Sequence, residues 1–250
     1  MIQSYLQNRQ QIVIVNNVSS DALIVTRGVP QGSVLGPTLF LLYINDMIHH
    51  LTASKTILYA DDTTILSKGK SEETMLQAMN SSLQCMENWL ISNEIKLNKG
   101  KTQTIHFRTR LRDKPCLPCK KEVNDPVKFL GIYIDENLNW EKHILYTANK
   151  ISKSIYLLRN LKQFVSMEVL WTCYHSLIVT HMSYGISVWG FSSSAKLIFK
   201  LQRLSVRIIT GVRYTADVRH KFKENCILTL PCIYIYHTLL EVKNNVHVYT

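Results

Sequence analysis

The spacing of apolar residues divides the chain into two parts with different periodicity. Up to about residue 136, short β-rich stretches alternate with long amphipathic segments. From residue 139 onward, apolar residues recur only at helical spacing. This pattern predicts an α+β part over residues 1–136, followed by an all-helical part over residues 137–250.

Paired apolar stretches around polar turns predict hairpins in the first part. Stretches 11–15 and 22–26 flank a polar turn, residues 16–20, and stretches 56–59 and 63–66 flank a turn that contains two acidic residues. Further strands are predicted over residues 104–107 and 127–134. Residues 108–125 are basic and carry two prolines, which predicts an exposed loop.

A helix is predicted at the strongly apolar segment 39–48, with Pro37 in its first turn. Amphipathic helices are predicted over residues 72–95 and throughout the second part. Each of four apolar faces repeats at intervals of three and four residues, the spacing that lines up side chains on one side of a helix. The predicted buried positions are Leu76, Met79, Leu83, Met86 and Leu90; Ile144, Ala148, Ile151, Ile155 and Leu158; Leu170, Cys173, Tyr174, Leu177 and Ile178; and Leu197, Leu201, Leu204 and Ile208.

Composition and charge narrow the class of protein. Of 250 residues, 46% are hydrophobic and 19% charged, which excludes a disordered chain. The longest apolar run, residues 39–44, is too short to span a bilayer, so no membrane partner is predicted. The net charge of +11 is uneven: residues 1–95 carry 5 basic and 8 acidic side chains, and residues 96–250 carry 24 and 10. The basic half favours a nucleic-acid partner, although a basic surface that only maintains solubility would carry the same charge.

Two adjacent carboxylates, Asp61 and Asp62, are the strongest candidate for chemistry. They repel one another in a tight turn, and a hard divalent cation such as Mg²⁺ would relieve that repulsion. Neighbouring aspartates are also ordinary turn residues. The apolar flanks favour the metal, because they predict a buried hairpin that holds an acidic tip.

Four segments in order resemble the reverse transcriptases of non-LTR retrotransposons, in particular the jockey-like elements. Motif B is matched by residues 28–37 (GVPQGSVLGP) followed by 42–46 (LYIND), and motif C by residues 59–62 (YADD). Motif D resembles residues 96–102 (KLNKGKT), and motif E, the primer grip, resembles residues 129–131 (FLG). Residues 201–204 and 227–231 resemble the helical region downstream. The resemblance implies a partial polymerase palm with an antiparallel sheet, followed by an all-helical thumb-like region.

The resemblance also implies roles for single residues. Asp61 would bind catalytic Mg²⁺, and Asp62 would support the metal site near the primer end. Gln31 and Gly32 would contact the incoming nucleotide and its template base. Tyr59 would either pack beneath the primer or belong to the core.

Lys101 would be the motif D lysine that protonates the pyrophosphate leaving group, although Lys96 and Lys99 compete for this assignment. Phe129, Leu130 and Gly131 would form the primer grip.

The implied partners are an RNA template, a DNA primer and deoxynucleoside triphosphates. Basic side chains of the helical part would contact the nucleic-acid backbone without sequence preference; these are Lys153, Lys162, Arg203 and Arg207. The implied localisation is intracellular, in the cytoplasm and nucleus.

One family feature has no counterpart in the sequence. Motif A supplies a further metal-binding aspartate upstream of motif B, and the first acidic residue here, Asp21, lies in a predicted turn only seven positions before Gly28. We therefore expect a fragment that begins after motif A and is inactive by itself. A non-catalytic, nucleic-acid-binding remnant is the alternative function, and a relic without selected function is a third.

Overall fold

The computed structural model describes residues 2–107 and 126–246, so the predicted loop 108–125 lies outside the described residues. The chain divides into two compact units, Met1–Thr102 and Gln103–Thr250. This division differs from the predicted boundary after residue 136. The physical reason is that Ile132 and Ile134 pack against the helical core, so the hairpin that contains them belongs to the second unit.

The first unit combines short antiparallel strands with one long helix. Its elements are α1 (Ile2–Leu6), β1 (Gln10–Gln11), β2 (Ile14–Val15), β3 (Val18–Ser19), β4 (Leu23–Ile24), α2 (Leu35–Ile44), α3 (Met47–His50), β5 (Lys55–Tyr59), β6 (Asp62–Leu66) and α4 (Glu72–Ser92). Ser71 caps the start of α4 with a capping box. Its hydroxyl accepts a hydrogen bond from the Thr74 amide, and the Thr74 hydroxyl accepts one from the Ser71 amide.

A small core joins the helices of the first unit to one hairpin. Its buried residues come from α2, from α3 and Leu51 directly after it, and from the second half of α4. They are Ile44, Met47, Leu51, Met86, Trp89 and Leu90. Leu58 of β5 and Ile65 of β6 pack against this core. Of the positions predicted for α4, Met86 and Leu90 are buried and Leu83 is partly buried against them.

The N-terminal hairpin turns more tightly than predicted. Asn16 and Asn17 alone connect β2 to β3, with φ of +50° and +63°, and Val18–Ser19 is strand rather than turn. Asparagine tolerates this left-handed conformation better than most residues. The apolar side chains of the hairpin are exposed, from 53% at Val13 to 71% at Val18.

The second unit is helical apart from one hairpin. Its elements are β7 (Val127–Phe129), β8 (Ile132–Ile134), α5 (Glu141–Leu161), α6 (Met167–Tyr174), a π-helical segment (His175–Val179), α7 (Thr180–Ser183), α8 (Ile186–Trp189), a 3₁₀ turn (Ser193–Ala195), α9 (Lys196–Thr210), α10 (Arg219–Glu224) and α11 (Leu230–Asn244). The predicted α+β class is confirmed. In the described residues, the strands form four separate two-stranded antiparallel sheets rather than one.

Helix α5 is the central element of the second core. All five positions predicted to be buried on it are buried: Ile144, Ala148, Ile151, Ile155 and Leu158. They pack with buried residues of α6, α7, α8 and α9, among them Tyr174, Met182, Trp189 and Val206. Asp135 stabilises the turn before α5, because its carboxylate accepts hydrogen bonds from the backbone N–H groups of Asn137, Asn139 and Trp140.

Helix α9 buries a different face from the one predicted. Its fully buried residues are Ile198, Gln202, Ser205, Val206 and Ile209. The predicted residues Leu201, Leu204 and Ile208 are only partly buried, and Leu197 is 37% exposed. The rotation follows from Gln202, which donates to the Tyr174 hydroxyl (2.9 Å) and the Leu228 carbonyl (2.8 Å) and accepts from the Leu230 amide (2.8 Å).

Three further predictions differ in detail. Residues 104–107 are not a strand, and residues 127–134 form two strands with a turn instead of one. The helix predicted over 39–48 begins earlier, at Leu35, and is interrupted before Met47. Pro37 lies in the first turn of α2, where it lacks only an N–H that has no helical acceptor. In the parts of the chain that the structure describes, no helix has the length and apolarity that a membrane span requires.

We predict that Gln202→Leu destabilises the second unit by about 2–4 kcal/mol. Leucine nearly preserves volume but leaves the Tyr174 hydroxyl, the Leu228 carbonyl and the Leu230 amide without their buried partner. Urea unfolding followed by circular dichroism measures the change. Gln163→Ala, at an exposed position, is the control and should change stability by less than about 0.5 kcal/mol. Equal effects of the two substitutions would contradict the importance of the buried network.

His143 makes stability dependent on pH. Its imidazole is buried against Trp189, with ring centroids 5.6 Å apart. Burial, and secondarily the charge of Lys150, lower the pKa of His143 from 6.5 to about 4. The same two causes lower the pKa of His181. Since the folded state disfavours the proton, stability is fully present above the unfolded pKa and is lost as the pH falls from 6.5 toward 4.

We expect the protein to lose about 1–2 kcal/mol more stability than His143→Asn between about pH 7.5 and pH 5. The variant has no imidazole to charge at this position, so its pH profile should be flatter. Urea midpoints at both pH values measure the difference, with His181→Asn as the comparison because His181 is less buried. A variant profile as steep as that of the parent protein would show that His143 is not the titrating group.

Candidate active site

The two adjacent carboxylates lie at the tip of the β5–β6 hairpin. Tyr59 pairs with Asp62, so Ala60 and Asp61 are the whole connection between the strands. Ala60 adopts φ +53°, as a two-residue hairpin turn requires of at least one central residue. Asp61 therefore lies at the outermost point of the hairpin, and Asp62 begins β6.

One face of this hairpin is partly buried, and the other is largely exposed. Leu58 and Ile65 point to the core of the first unit, whereas Ile57 is 43% and Leu66 45% exposed. The predicted buried hairpin is therefore covered on one side only, and the flanking residues Ile57 and Leu66 are exposed, because successive side chains alternate across a strand. Tyr59 is 66% exposed, which excludes its assignment to the core.

Hydroxyl groups fix the base of the hairpin to helix α4. Ser54, just before β5, bonds to Ser67, just after β6, at 2.7 Å. Ser82, buried on α4, donates to Ser54 at 2.8 Å. The base of the hairpin is thus held to the helix while its tip stays free.

The carboxylates of Asp61 and Asp62 are exposed and have no hydrogen-bonding or ion-pairing partner among the described residues. Carboxylate oxygens are the ligands that Mg²⁺ prefers, and this ion normally retains several waters and takes few protein ligands. The pair therefore fits a divalent cation that completes its coordination with water or phosphate. Within residues 2–107 and 126–246, no group of three or more acidic, histidine or cysteine side chains could hold a metal ion.

Residues 28–34 form a turn structure ahead of α2. Gly28 and Gly32 adopt φ of +75° and +81°, in which a side chain would be strained. Ser33 organises the loop, because its hydroxyl donates to the Pro30 carbonyl and accepts from the Gly36 amide. Gln31 is exposed at the head of this loop, so its side chain is accessible to a ligand.

The lysines after α4 differ in their contacts. Lys99 forms an ion pair with Glu87 at 3.1 Å, with both side chains largely exposed. Lys96 and Lys101 are exposed and have no acidic partner among the described residues. The ion pair favours Lys96 or Lys101 over Lys99 as a donor to a ligand. Within those residues, no hydrogen bond or ion pair joins Asp61 or Asp62 to Gln31 or Lys101.

The predicted primer-grip residues form the turn of the β7–β8 hairpin in the second unit. Phe129 pairs with Ile132 across a two-residue turn. Leu130 and Gly131 both adopt positive φ, +44° and +86°, which is unusual for leucine. The Tyr184 hydroxyl donates to the Leu130 carbonyl, and its ring lies beside Gly131. Tyr184 thus holds the turn in a conformation that leucine disfavours.

The four predicted backbone-contacting residues divide into two kinds. Lys162 donates to the Ile208 carbonyl at 2.6 Å, and Arg207 donates twice to the Ala216 carbonyl, at 3.0 and 3.1 Å. Both residues hold the end of α9 and the loop beyond it. Arg203 stacks on Phe199, with 5.2 Å from its guanidinium carbon to the ring centroid, whereas Lys153 is exposed on α5. Phosphate contact by any of the four stays a prediction.

A basic cluster lies where the β7–β8 hairpin meets α5. We call Lys128, Lys142, Lys150, Tyr133 and Tyr146 the lysine–tyrosine cluster. Its lysine ammoniums lie 4.6–5.6 Å from the tyrosine ring centroids. The periodicity of α5 places Lys142, Tyr146 and Lys150 on one face, but no sequence signal brings Lys128 of β7 to that face.

Comparison with known proteins identifies relatives for most of the chain. The family described as reverse transcriptase (RNA-dependent DNA polymerase) matches residues 1–134. An RNA-directed DNA polymerase from the mobile element jockey of Drosophila melanogaster is 26% identical over 242 residues, which cover 89% of this chain and 26% of the relative.

Two further relatives come from other elements. A probable RNA-directed DNA polymerase from transposon X-element of Drosophila melanogaster is 26% identical over 86% of this chain and 25% of its own length. A Pol polyprotein from the type-1 retrotransposable element R1 of Bradysia coprophila is 32% identical over 72% of this chain and 19% of its own length. The chain thus spans about a quarter or less of these relatives, and no solved structure matches it significantly.

We predict that Mn²⁺, a paramagnetic substitute for Mg²⁺, binds at the β5–β6 tip with affinity in about the millimolar range, because only two protein carboxylates meet there. Line broadening of the Asp61 and Asp62 amide signals in NMR spectra measures this binding. Asp61→Asn should abolish the local broadening, and Asp21→Asn, at an exposed position of the N-terminal hairpin, should preserve it. Broadening spread evenly over all exposed acidic residues would contradict a site at the tip.

Proposed function

Because the chain belongs to the reverse transcriptase (RNA-dependent DNA polymerase) family, we propose that it carries part of the RNA-directed DNA polymerase of a non-LTR retrotransposon. In this proposal, the first unit is a partial palm, and the helical second unit, with the primer-grip hairpin, is thumb-like. The substrates are an RNA template, a DNA primer and deoxynucleoside triphosphates. The observation that supports the proposal best is the exposed Asp61–Asp62 pair on a hairpin whose base is fixed to α4.

The residues of the tip have distinct tasks in this proposal. Asp61 and Asp62 are the ligands for Mg²⁺, which when bound stabilises the attacking and leaving oxygens of nucleotidyl transfer. Asp61, at the outermost point of the hairpin, would be the principal metal ligand, and Asp62 would support the metal site beside it. The fixed hairpin base limits movement of the carboxylates, which reduces the reorganisation needed at the moment of reaction.

Other predicted site residues bind and orient the substrates in this proposal. The loop at Gln31 and Gly32 presents a side-chain amide and a bare backbone to the nucleotide. Lys101 donates a proton to the pyrophosphate leaving group, and Lys96 is the second candidate for this proton transfer. Phe129, Leu130 and Gly131 position the primer strand, and the bond from Tyr184 keeps their turn rigid.

A non-catalytic nucleic-acid-binding function is the second candidate. It is favoured by the carboxylate count, because in the described residues no third ligand group joins Asp61 and Asp62. Two Mg²⁺ ions held by two carboxylates would remain poorly neutralised. Both candidates share the nucleic-acid partner and differ only in catalysis.

We predict that joining a family-like fingers and motif A segment ahead of residue 1 gives Mg²⁺-dependent primer extension, and that Asp61→Asn lowers its rate by about 10² to 10⁴. Asparagine keeps the size of the side chain but removes the charge that binds the metal. Extension of a labelled primer on an RNA template measures the rate. Without the added segment, we expect no extension.

Glu73→Gln is the matched control, because it removes one exposed acidic charge from the first turn of α4 and should leave the rate within about twofold. If the Asp61→Asn fusion retains more than half of the rate, the assignment of Asp61 as a metal ligand is wrong. If no fusion extends a primer but the chain still binds nucleic acid, the non-catalytic function is correct.

A further inference from the structure

An ion pair between Arg27 and Glu94 joins two loops that lie 67 residues apart in sequence. The Arg27 guanidinium contacts both oxygens of the Glu94 carboxylate, each at 3.1 Å, so the pair is bidentate. Arg27 directly precedes residues 28–34, which we call the nucleotide loop. Glu94 directly precedes residues 95–101, which contain the candidate proton donors and which we call the lysine segment. The pair therefore lies at the start of both loops.

Helix α4 ends in a Schellman motif in which Glu94 takes the left-handed position. The Glu94 amide donates to the Ile91 carbonyl at 3.1 Å, and the Ile95 amide donates to the Leu90 carbonyl at 2.9 Å. Glu94 has φ +54°, a conformation that glycine or asparagine adopts at lower cost. The backbone alone would thus favour glycine at this position, and the ion pair with Arg27 is a contact that glycine could not make.

Hydrogen bonds anchor the chain on both sides of the pair. The Tyr43 hydroxyl of α2 donates to the Asn93 carbonyl at 2.7 Å, which ties the end of α4 to α2. The Arg9 guanidinium donates to the carbonyls of Arg27 and Gly28, which fixes the start of the nucleotide loop. A movement of either loop at its start would therefore be transmitted to the other through the ion pair.

The stability of the fold does not account for this pair. The side chains of Arg27 and Glu94 are 74% and 59% exposed, and exposed ion pairs contribute little to the free energy of unfolding. A bidentate pair contributes direction instead, because the planar guanidinium and the planar carboxylate fix each other's orientation. Such a contact constrains the relative position of the two loops.

We propose that the Arg27–Glu94 pair is a positioning contact that couples the nucleotide loop to the lysine segment. In this role it holds a bound nucleotide and the lysine that protonates its leaving group in a fixed relation, which favours the chemical step. The identity of the aligned groups rests on the proposed function. The coupling itself rests on the contacts of Arg27 and Glu94.

Amide hydrogen exchange of the full 250-residue chain, measured by NMR, tests the coupling across the pair. The reporters are the amides of Ser33 and Lys101, which have backbone acceptors within their own loops at 3.4 and 3.1 Å. Glu94→Asn tolerates the left-handed conformation but removes the pair, and it should speed exchange at Ser33 by about two- to fivefold. Arg27→Gln should speed exchange at Lys101 by a similar factor.

A charge swap and a matched control accompany these variants. The double variant Arg27→Glu, Glu94→Arg restores an ion pair and should return both rates to within about twofold of the parent protein. Glu224→Gln removes the carboxylate of another exposed ion pair, with Lys221 in the second unit (2.7 Å), and should leave both rates unchanged. Urea unfolding of each variant shows whether the whole fold is weakened, since that would speed exchange throughout α4 as well.

The fused polymerase tests the role in catalysis. Glu94→Asn should lower kcat for primer extension by about three- to tenfold and leave KM for the nucleotide within about twofold, because misalignment affects the chemical step. The charge swap with Arg27 should restore at least half of kcat. A residue that only ends α4 would not be rescued by a change at position 27.

The outcomes separate this proposal from the proposed function. Unchanged exchange at Ser33 and Lys101, or an equal effect of Glu224→Gln, would overturn the coupling. Coupled loops with an unaltered kcat in Glu94→Asn would overturn the positioning role. Exchange requires neither metal nor nucleotide, so an inactive fusion would count against the proposed function while the exchange rates still decide the coupling.

Discussion

One-sided burial of two short hairpins is the constraint on which the candidate site depends. Leu58 and Ile65 attach β5–β6 to the core of the first unit, and Ile132 and Ile134 attach β7–β8 to the core of the second. A two-stranded hairpin is only marginally stable by itself, so this helical support is necessary. Because only one face is buried, each hairpin presents a two-residue turn to solvent, and the predicted metal ligands and primer-grip residues lie at these turns.

The sequence predicted most where apolar spacing alone decides the outcome. The five apolar positions of α5 are all buried, and the β5–β6 turn lies where predicted. On α9 the same reasoning selected the wrong face, because apolar spacing does not reveal that Gln202 and Ser205 are satisfied inside the core. Their hydrogen bonds depend on α6 and on the residues before α11, which are distant in sequence.

The candidate site shows the same limit. Asp61 and Asp62 were predictable as neighbours in a turn, and the family resemblance supplied their roles. Lys128 was not predictable as a neighbour of Lys150, because no local pattern specifies where β7–β8 packs on α5. Likewise, the sequence predicts Lys162 and Arg207 as contacts for the nucleic-acid backbone. In the structure, their side chains donate hydrogen bonds to backbone carbonyls around the end of α9. Formal charge alone does not distinguish a structural cation from an accessible one.

The exposed N-terminal hairpin has a consequence for handling the isolated chain. In the described structure, β1 to β4 form two-stranded ladders only, so each strand has an unpaired edge, and the isoleucine and valine side chains beside these edges are exposed. Such edges pair readily with other chains, which leads to aggregation. The basic charge of the second half opposes this association at low ionic strength. Concentrated salt removes that repulsion, so dilute, low-salt buffers are the conditions under which the chain should remain colloidally stable.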